Sequence, residues 1–369
     1  MLTERSDPTI GAMPTTGNTG AVAIRVDALA RSGVGHLVRM LALAEELAAR
    51  GRGVRLFGAC EVPWAAGQLA AAGLALEPAP AEPEAFAALL DAAGVRLCVV
   101  DGYGYPPALG AALRGAGIAV AALCDGGFGL QAEADLYLDQ NLGAVARPDL
   151  HPGARFLTGL EFALLRDRVR ARRRAHERSQ KSQRAPRVLV VFGGTDPFGG
   201  CPTLVGLLLG LGLPASVVAV AATPDAAAAL RALPLGRAQT LEVHPPVDDL
   251  PALAVTCDAA VSASGSSTWE LACLGVPTAL VCVTDNQLLG YREATRALCL
   301  PAGRLADLGP GGADVPRARD TLTRLLTDAD LRHRLGRRAA AAVDGRGRER
   351  VVDALMALED DRSGARSLG

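Results

Sequence analysis

The chain has 369 residues, half of them hydrophobic, and its 38 Lys and Arg against 39 Asp and Glu leave a formal net charge of −1. That length exceeds one ordinary hydrophobic core and favours two domains of roughly 150 to 180 residues each. Balanced charge excludes a whole-molecule field for nucleic acid or an anionic membrane, so any phosphate site has to be local; no apolar run nears the roughly 18 residues of a membrane span, and the eight cysteines, with no C-x-x-C pair, read as small buried hydrophobes in a reducing, cytoplasmic setting.

Residues 1–20, rich in Thr, Gly and Pro, read as a disordered extension. From Ala21 onward short apolar runs alternate with helical patterns, the signature of βαβ units on a parallel sheet and of the α/β class. Strands are expected at Ala21–Asp27, Val54–Gly58, Leu74–Glu77, Leu97–Asp101, Ile118–Leu123 and Leu136–Asp139, with a helix from Leu37 to Arg50 closed by Gly51. Arg166 to Arg187 is dense in arginine without an apolar period and reads as a solvated helix and linker. The pattern restarts with strands at Val188–Phe192, Ser216–Ala221, Leu241–Val243, Asp258–Val261 and Thr278–Val283, and the chain is helical and charged from Pro316. The division that follows is an N-terminal Rossmann-like domain over 21–165, a basic linker over 166–186, a C-terminal Rossmann-like domain over 187–345, and a closing helix and tail over 346–369. Two doubly wound parallel sheets would then face a cleft.

Three loops carry the chemistry expected of that cleft. Gly33-Val34-Gly35 follows the first strand and delivers His36 and Arg39 to the start of a helix. A His there is a candidate proton acceptor, and a lone His is also often structural. Ser264-Gly265-Ser266-Ser267-Thr268 precedes the helix carrying Trp269 and Glu270. Free backbone N–H groups and hydroxyls at that point suit a diphosphate, although the same pattern also makes a simple capping turn. Gly193-Gly194-Thr195 offers a second loop of this kind. Glu270 is placed either to accept hydrogen bonds from ribose hydroxyls or only to interact with the helix dipole. The sequence has no Walker A motif, full dinucleotide fingerprint, metal-spaced histidine pair or Gly-x-Ser-x-Gly elbow, so ATPase, NAD-dependent, metal-dependent and serine-hydrolase readings have little support.

Taken in order, Arg25-x-Asp27, Gly33-x-Gly35-His36 with Arg39, Val100-Asp101-x-Tyr103, Gln140-Asn141-Leu-Gly-Ala144, Leu164-Leu-Arg166, Phe192-Gly-Gly-Thr-Asp196, Gly265-Ser-Ser-Thr-Trp-Glu270 and Asp285-Asn286-Gln287 resemble the UDP-sugar hydrolase of pseudaminic-acid biosynthesis and the related spore-coat polysaccharide proteins. The resemblance implies a GT-B architecture, with UDP held mainly by the C-terminal domain and the sugar by the N-terminal one, and no cofactor or metal. It implies His36 as general base, with Asp27 and Arg39 in the same catalytic group. Arg25, Gly33, Gly35, Asp101, Tyr103, Asn141, Asn286 and Gln287 would lie on the sugar and phosphate side. Gly193, Gly194, Thr195, His244, Val247, Gly265, Ser266, Ser267, Thr268 and Glu270 would surround UDP. The expected reaction is hydrolysis of a UDP-sugar at the anomeric carbon with inversion; an inverting glycosyltransferase using the same donor is the alternative, and a silent sugar-nucleotide binder the third reading. A monomer or weak dimer is expected. The chain departs from the resemblance at Gly102 and at Gly126-Gly127, where many relatives carry His and a second Asp. Both departures fall on the sugar side, so the sugar or the acceptor is expected to differ.

Overall fold

The computed structural model describes residues 20–30, 33–129, 133–147, 151–176 and 185–367; the extension expected at the N-terminus lies outside them apart from Gly20. In the first domain the apolar runs form β1 (Val22–Val26), β2 (Val54–Phe57), β3 (Leu76–Glu77), β4 (Leu97–Asp101), β5 (Ala119–Asp125), β6 (Phe128–Gly129), β7 (Leu136–Asp139) and β8 (Arg155–Thr158). Between them run α1 (Gly35–Ala49), α2 (Pro63–Ala71), α3 (Pro83–Ala92) and α4 (Ala108–Gly115). The sheet order is β3-β2-β1-β4-β5-β7-β8, all parallel, with β6 antiparallel on β5. Helices cover both faces, which is why these strands read as unbroken apolar runs rather than alternating ones. Val22, Ile24 and Val26 pack with Leu37, Met40 and Leu47 of α1, whereas Ala23 points the other way to Phe86 and Leu90 of α3 and Leu113 of α4.

α5 (Asp167–His176) leads into the second domain, which holds β9 (Arg187–Val191), α6 (Gly200–Leu209), β10 (Ala215–Val220), α7 (Pro224–Arg231), β11 (Gln239–His244), α8 (Leu250–Ala254), β12 (Ala259–Ala263), α9 (Ser267–Leu274), β13 (Thr278–Cys282), α10 (Leu288–Ala297) and β14 (Leu300–Arg304). Its strands, all parallel, lie in the order β11-β10-β9-β12-β13-β14. In each sheet the order reverses beside the first strand, and this is the point at which open α/β sheets bind ligands. α11 (Val315–Thr327), α12 (Ala329–Ala342) and α13 (Gly347–Ser367) complete the chain. Among the described residues no helix is long and apolar enough to cross a membrane.

The short strands β6 and β8 are not among the expected ones, and three further features go beyond the sequence expectation. β14 was not expected because Pro301 and Gly303 interrupt it; it survives at the sheet edge, where a missing N–H is tolerated, with a register shift opposite Leu280 and Val281. The helix expected at the head of the arginine-rich stretch is present as α5 but is packed rather than solvated: Val169 is fully buried, Arg172 pairs with Asp249 of the second domain, and Arg173 donates to the carbonyls of Ala340 and Val343 at the end of α12, where a cation is favoured. Residues 177–184 of the expected linker lie outside the described residues. α13 is the closing helix expected over this stretch, but it does not stand apart from the domains. It returns to the first domain, and Val351, Val352, Leu355 and Leu358 enter the same core cluster as Val22, Ile24 and Leu47.

Candidate active site

The carboxyl edges of the two sheets enclose a cavity of about 660 Å3, within the range that holds a small organic ligand. The first domain contributes the loop before α1, the loops after β4 and β5, and Gln140-Asn141; the second contributes the loops after β9, β12 and β13. Hydrogen bonds cross between the domains beside it. Trp64 Nε1 donates to the Val247 carbonyl (3.3 Å) and Gln68 Nε2 to Asp248 (3.0 Å), while Asn286 Nδ2 donates to Tyr103 (3.3 Å) and Trp269 Nε1 to Asn141 (3.3 Å). The glycines expected to make room for an anion also let the domains approach: a Cβ on Gly35 would stand 3.2 Å from Ser266 Oγ, and one on Gly194 would stand 2.8 Å from Val34 Cγ2.

On the first-domain side, His36 lies in the opening turn of α1 and Asp101 at the end of β4, and His36 Nδ1 is 2.7 Å from Asp101 Oδ1. Asp101 is wholly buried and takes two further bonds from Arg39, Nε and Nη2, each at 2.6 Å. Burial alone would raise its pKa, but the Arg39 guanidinium and His36 outweigh that and hold the carboxyl below the usual carboxylate range. An ionised Asp101 is an acceptor only, so Nδ1 carries the proton and Nε2 is left as the free acceptor of the imidazole.

A second carboxylate stands behind the first. Asp125 accepts from Arg39 Nη1 (3.1 Å) and Nη2 (3.3 Å), from Asn141 Nδ2 (2.8 Å) and from the Tyr103 hydroxyl. Desolvation again opposes ionisation and Arg39 again prevails, so Asp125 also lies below the usual range. Burial, reinforced by the Asp125 charge, pushes the Tyr103 phenol up and keeps it a donor. Two carboxylates around one guanidinium leave this cluster one negative charge in excess, which is neutralised when His36 takes up a proton.

The second-domain side differs between its two glycine loops. Asp196, after Gly193-Gly194-Thr195, accepts from the backbone N–H groups of Gly200 (2.8 Å) and Cys201 (2.9 Å), so the start of α6 already has its anion. No side chain caps α9, and Ser264 to Ser267 line the cavity. That helix start is the one left open for an anion. Thr268 is turned away, its hydroxyl bonding back to the Ala263 carbonyl (3.4 Å). Glu270 lines the cavity and pairs with Arg166 Nη2 (3.1 Å), whose Nη1 bonds Gln68 (3.3 Å) and whose buried Nε has no partner among the described residues.

Of the residues singled out from sequence, His36, Arg39, Gly33, Gly35, Tyr103, Asn141, Asn286, Gln287, Gly193, Gly194, Thr195, Val247, Gly265, Ser266, Ser267 and Glu270 line the cavity; Arg25, Asp27, Asp101, His244 and Thr268 do not. Asp27 corrects the expected catalytic group. Its carboxylate bonds Arg25 (2.9 Å), the Tyr105 hydroxyl (3.0 Å) and the Ala59 N–H (2.8 Å), which ties the end of β1 to its neighbours and leaves it no contact with His36. Arg25 is held there with it, its guanidinium stacked 4.6 Å over Tyr105. Asp101 lies behind His36 rather than on the sugar side. His244, half-exposed, sits 3.6 Å from Glu242 at the end of β11. Arg166 and Gln68 were not singled out as site residues. Gln68 carries no signal in the sequence, and Arg166 figures there only in the Leu164-Leu-Arg166 motif, at the head of an arginine-rich run.

No protein-family model and no curated protein sequence matches the chain. Solved structures do match it in three dimensions. MurG of Acinetobacter baumannii superposes with a TM-score of 0.63 at 15% identity, over 91% of this chain and 99% of that one. The spinosyn forosaminyltransferase SpnP gives 0.61 at 14%, over 93% and 100%. The S. aureus MnaA–UDP co-structure gives 0.58 at 11%, over 90% and 95%. At such identities the likeness speaks for architecture, and the architecture is GT-B: two Rossmann-like domains facing one another across a cleft.

Proposed function

We propose that the chain is an inverting glycosyltransferase that moves a sugar from a UDP-sugar to an acceptor hydroxyl or amine. The observation that carries the reading is the 2.7 Å contact between His36 Nδ1 and buried Asp101, in a cavity also lined by the uncapped start of α9. The acceptor proton passes to His36 Nε2 as the acceptor atom bonds the anomeric carbon. The bond from that carbon to the diphosphate breaks on the opposite face, and its electron pair leaves with UDP. Asp101 and Asp125 stabilise the imidazolium that forms. The N–H groups at the start of α9, with Arg166 beyond them, take the charge that develops on the diphosphate, and a leaving group of such low proton affinity does not require a strong general acid. The likeness to a forosaminyltransferase supports transfer.

Hydrolysis, with water in place of the acceptor, is the second reading, and the ordered motif set from Arg25 to Gln287 favours it, including a substrate related to that of pseudaminic-acid biosynthesis. A panel of UDP-sugars, each with and without alcohol and amine acceptors, separates the two when UDP, free sugar and glycoside are followed by NMR. A glycoside of inverted configuration selects transfer. UDP and free sugar with no glycoside selects hydrolysis, and no UDP release from any donor defeats both.

A further inference from the structure

Large apolar side chains left in solvent are not spread evenly over this molecule. Of the seven that are exposed among the described residues, Tyr103, Phe128, Phe198 and Leu289 line the main cavity, and Val145 lines a smaller cavity of about 240 Å3 beside it. The two cavities share Gly126 and Leu289. An aromatic run leads outward from the base: His36 and Tyr103 meet edge to face with ring centres 4.5 Å apart, and Tyr103 and Phe128 follow at 5.6 Å. The smaller cavity is walled by Tyr137 and Phe156, themselves stacked at 5.2 Å, with Val145 and Leu289 at its edge. Its charged residues, Asp139 and Arg147, are already engaged; Asp139 accepts from the Gly126 N–H (2.8 Å) and from the Asn141 side chain (2.9 Å). Exposed apolar surface gathered at a reactive cleft marks a binding site rather than ordinary surface.

We propose that this smaller cavity, with the aromatic run that joins it to His36, is the acceptor seat, and that the acceptor is a compact alcohol or phenol built on a flat apolar ring system rather than a sugar. The inference rests on the transferase reading and adds the acceptor's class to it. A dry cavity of about 150 Å3 holds benzene, so about 240 Å3 fits one or two fused rings. The ring system would lie against Phe128, Leu289 and the Tyr137–Phe156 wall, with its hydroxyl directed along Tyr103 to His36 Nε2. There the acceptor oxygen bonds the anomeric carbon, its proton passes to His36, and UDP leaves with the electron pair of the broken bond. Gly126 and Gly127 keep the entrance open: a Cβ at 127 would meet nothing within 4 Å, and one at 126 would reach Leu289 Cδ2 at 3.5 Å.

Binding of 2-naphthol to the full chain in the presence of UDP, measured by saturation-transfer NMR and calorimetry, tests the seat independently of turnover. The wild type should bind 2-naphthol, and methyl glucoside should not displace it. Gly127→Leu, entering open space, should weaken naphthol binding at least tenfold while UDP affinity stays within twofold. Val145→Asp is the second variant; residue 145 is 71% exposed, so the change does not threaten folding, and a similar loss is expected. Unchanged naphthol affinity in both variants overturns the proposal, as does displacement by methyl glucoside. Naphthol binding with these losses, but without transfer from any UDP-sugar, upholds the seat and defeats the transferase reading. Transfer to sugars without naphthol binding overturns the seat and leaves that reading standing.

Discussion

Asp101→Asn is the substitution that most directly probes the proposed base. The side chain keeps its shape but loses its charge, at a position where three hydrogen bonds of 2.6 to 2.7 Å converge from His36 and Arg39. However the amide is turned, its NH2 group opposes at least one donor of Arg39. In one orientation it also forces His36 into the tautomer whose Nε2 is protonated and unable to act as a base. In the other the tautomer survives, but the imidazolium formed on proton transfer loses its nearest counter-charge. Unit charges about 4 Å apart at an effective dielectric of about 20 interact by about 4 kcal/mol, and each ~1.4 kcal/mol is a factor of ten in rate. A fall in kcat of about 10²- to 10³-fold is therefore expected. The proposed UDP site lies at the opposite side of the cleft, so UDP affinity should stay within threefold. Arg39 retains Asp125, so the variant should remain folded. Steady-state UDP release, calorimetric titration with UDP and a thermal melt report the three quantities. A folded variant whose kcat lies within fivefold of wild type would refute the coupling of Asp101 to His36.

Four further outcomes follow from the same geometry. Glu270→Ala leaves Arg166 buried with one of its guanidinium nitrogens already unpartnered, and breaking such a pair costs about 3 to 5 kcal/mol; chemical denaturation should show that loss, and UDP binding should weaken as well. Gly35→Val drives a side chain into Ser266 across the cleft, so UDP affinity should fall with little change in Tm, because the clash relaxes by opening the domains. Asp101 and Asp125 are held below the ordinary carboxylate range, so their stabilising contribution is complete above about pH 4 and is lost as the pH falls through their folded values; Asp125→Asn should therefore lower Tm at pH 7 and flatten its decline below about pH 4. Leu355→Ala removes a buried side chain from the first-domain core at about 2 to 5 kcal/mol, and urea titration should register it although residue 355 is far in sequence from that domain.

Strands that are apolar on both faces and end in a polar residue were legible from periodicity alone, and so were the loops after them. What the sequence left open was where each strand-end side chain turns. Asp27, Asp101 and Asp125 all close first-domain strands, yet Asp27 folds back on Ala59 and Tyr105, Asp101 backs His36, and Asp125 gathers Arg39, Tyr103 and Asn141. Local pattern does not distinguish them, because apart from Arg25 beside Asp27 their partners lie 16 to 86 residues away. Arg166 shows the opposite difficulty. Composition marks the stretch from 166 as solvated, but its arginines are drawn to partners in both domains: Arg166 to Gln68 and Glu270, Arg168 to Gln68 and the Asp248 carbonyl, and Arg172 to Asp249. β14 was hidden because Pro301 and Gly303 argue against a strand everywhere except at an edge.

The return of α13 to the first domain has a consequence for the order in which the molecule is made. The second domain draws its core from Arg187 to Val343 and from Leu160, Ala163, Leu165 and Val169 upstream, and has all of it once Val343 has left the ribosome. The first domain does not, because Val351, Val352, Leu355 and Leu358 belong to its core. Domains ordinarily fold from the N-terminus during synthesis. Here the half that is translated first must wait, with part of its apolar surface exposed, until residue 358 has been synthesised. The side of the cleft that carries His36 is therefore completed after the other.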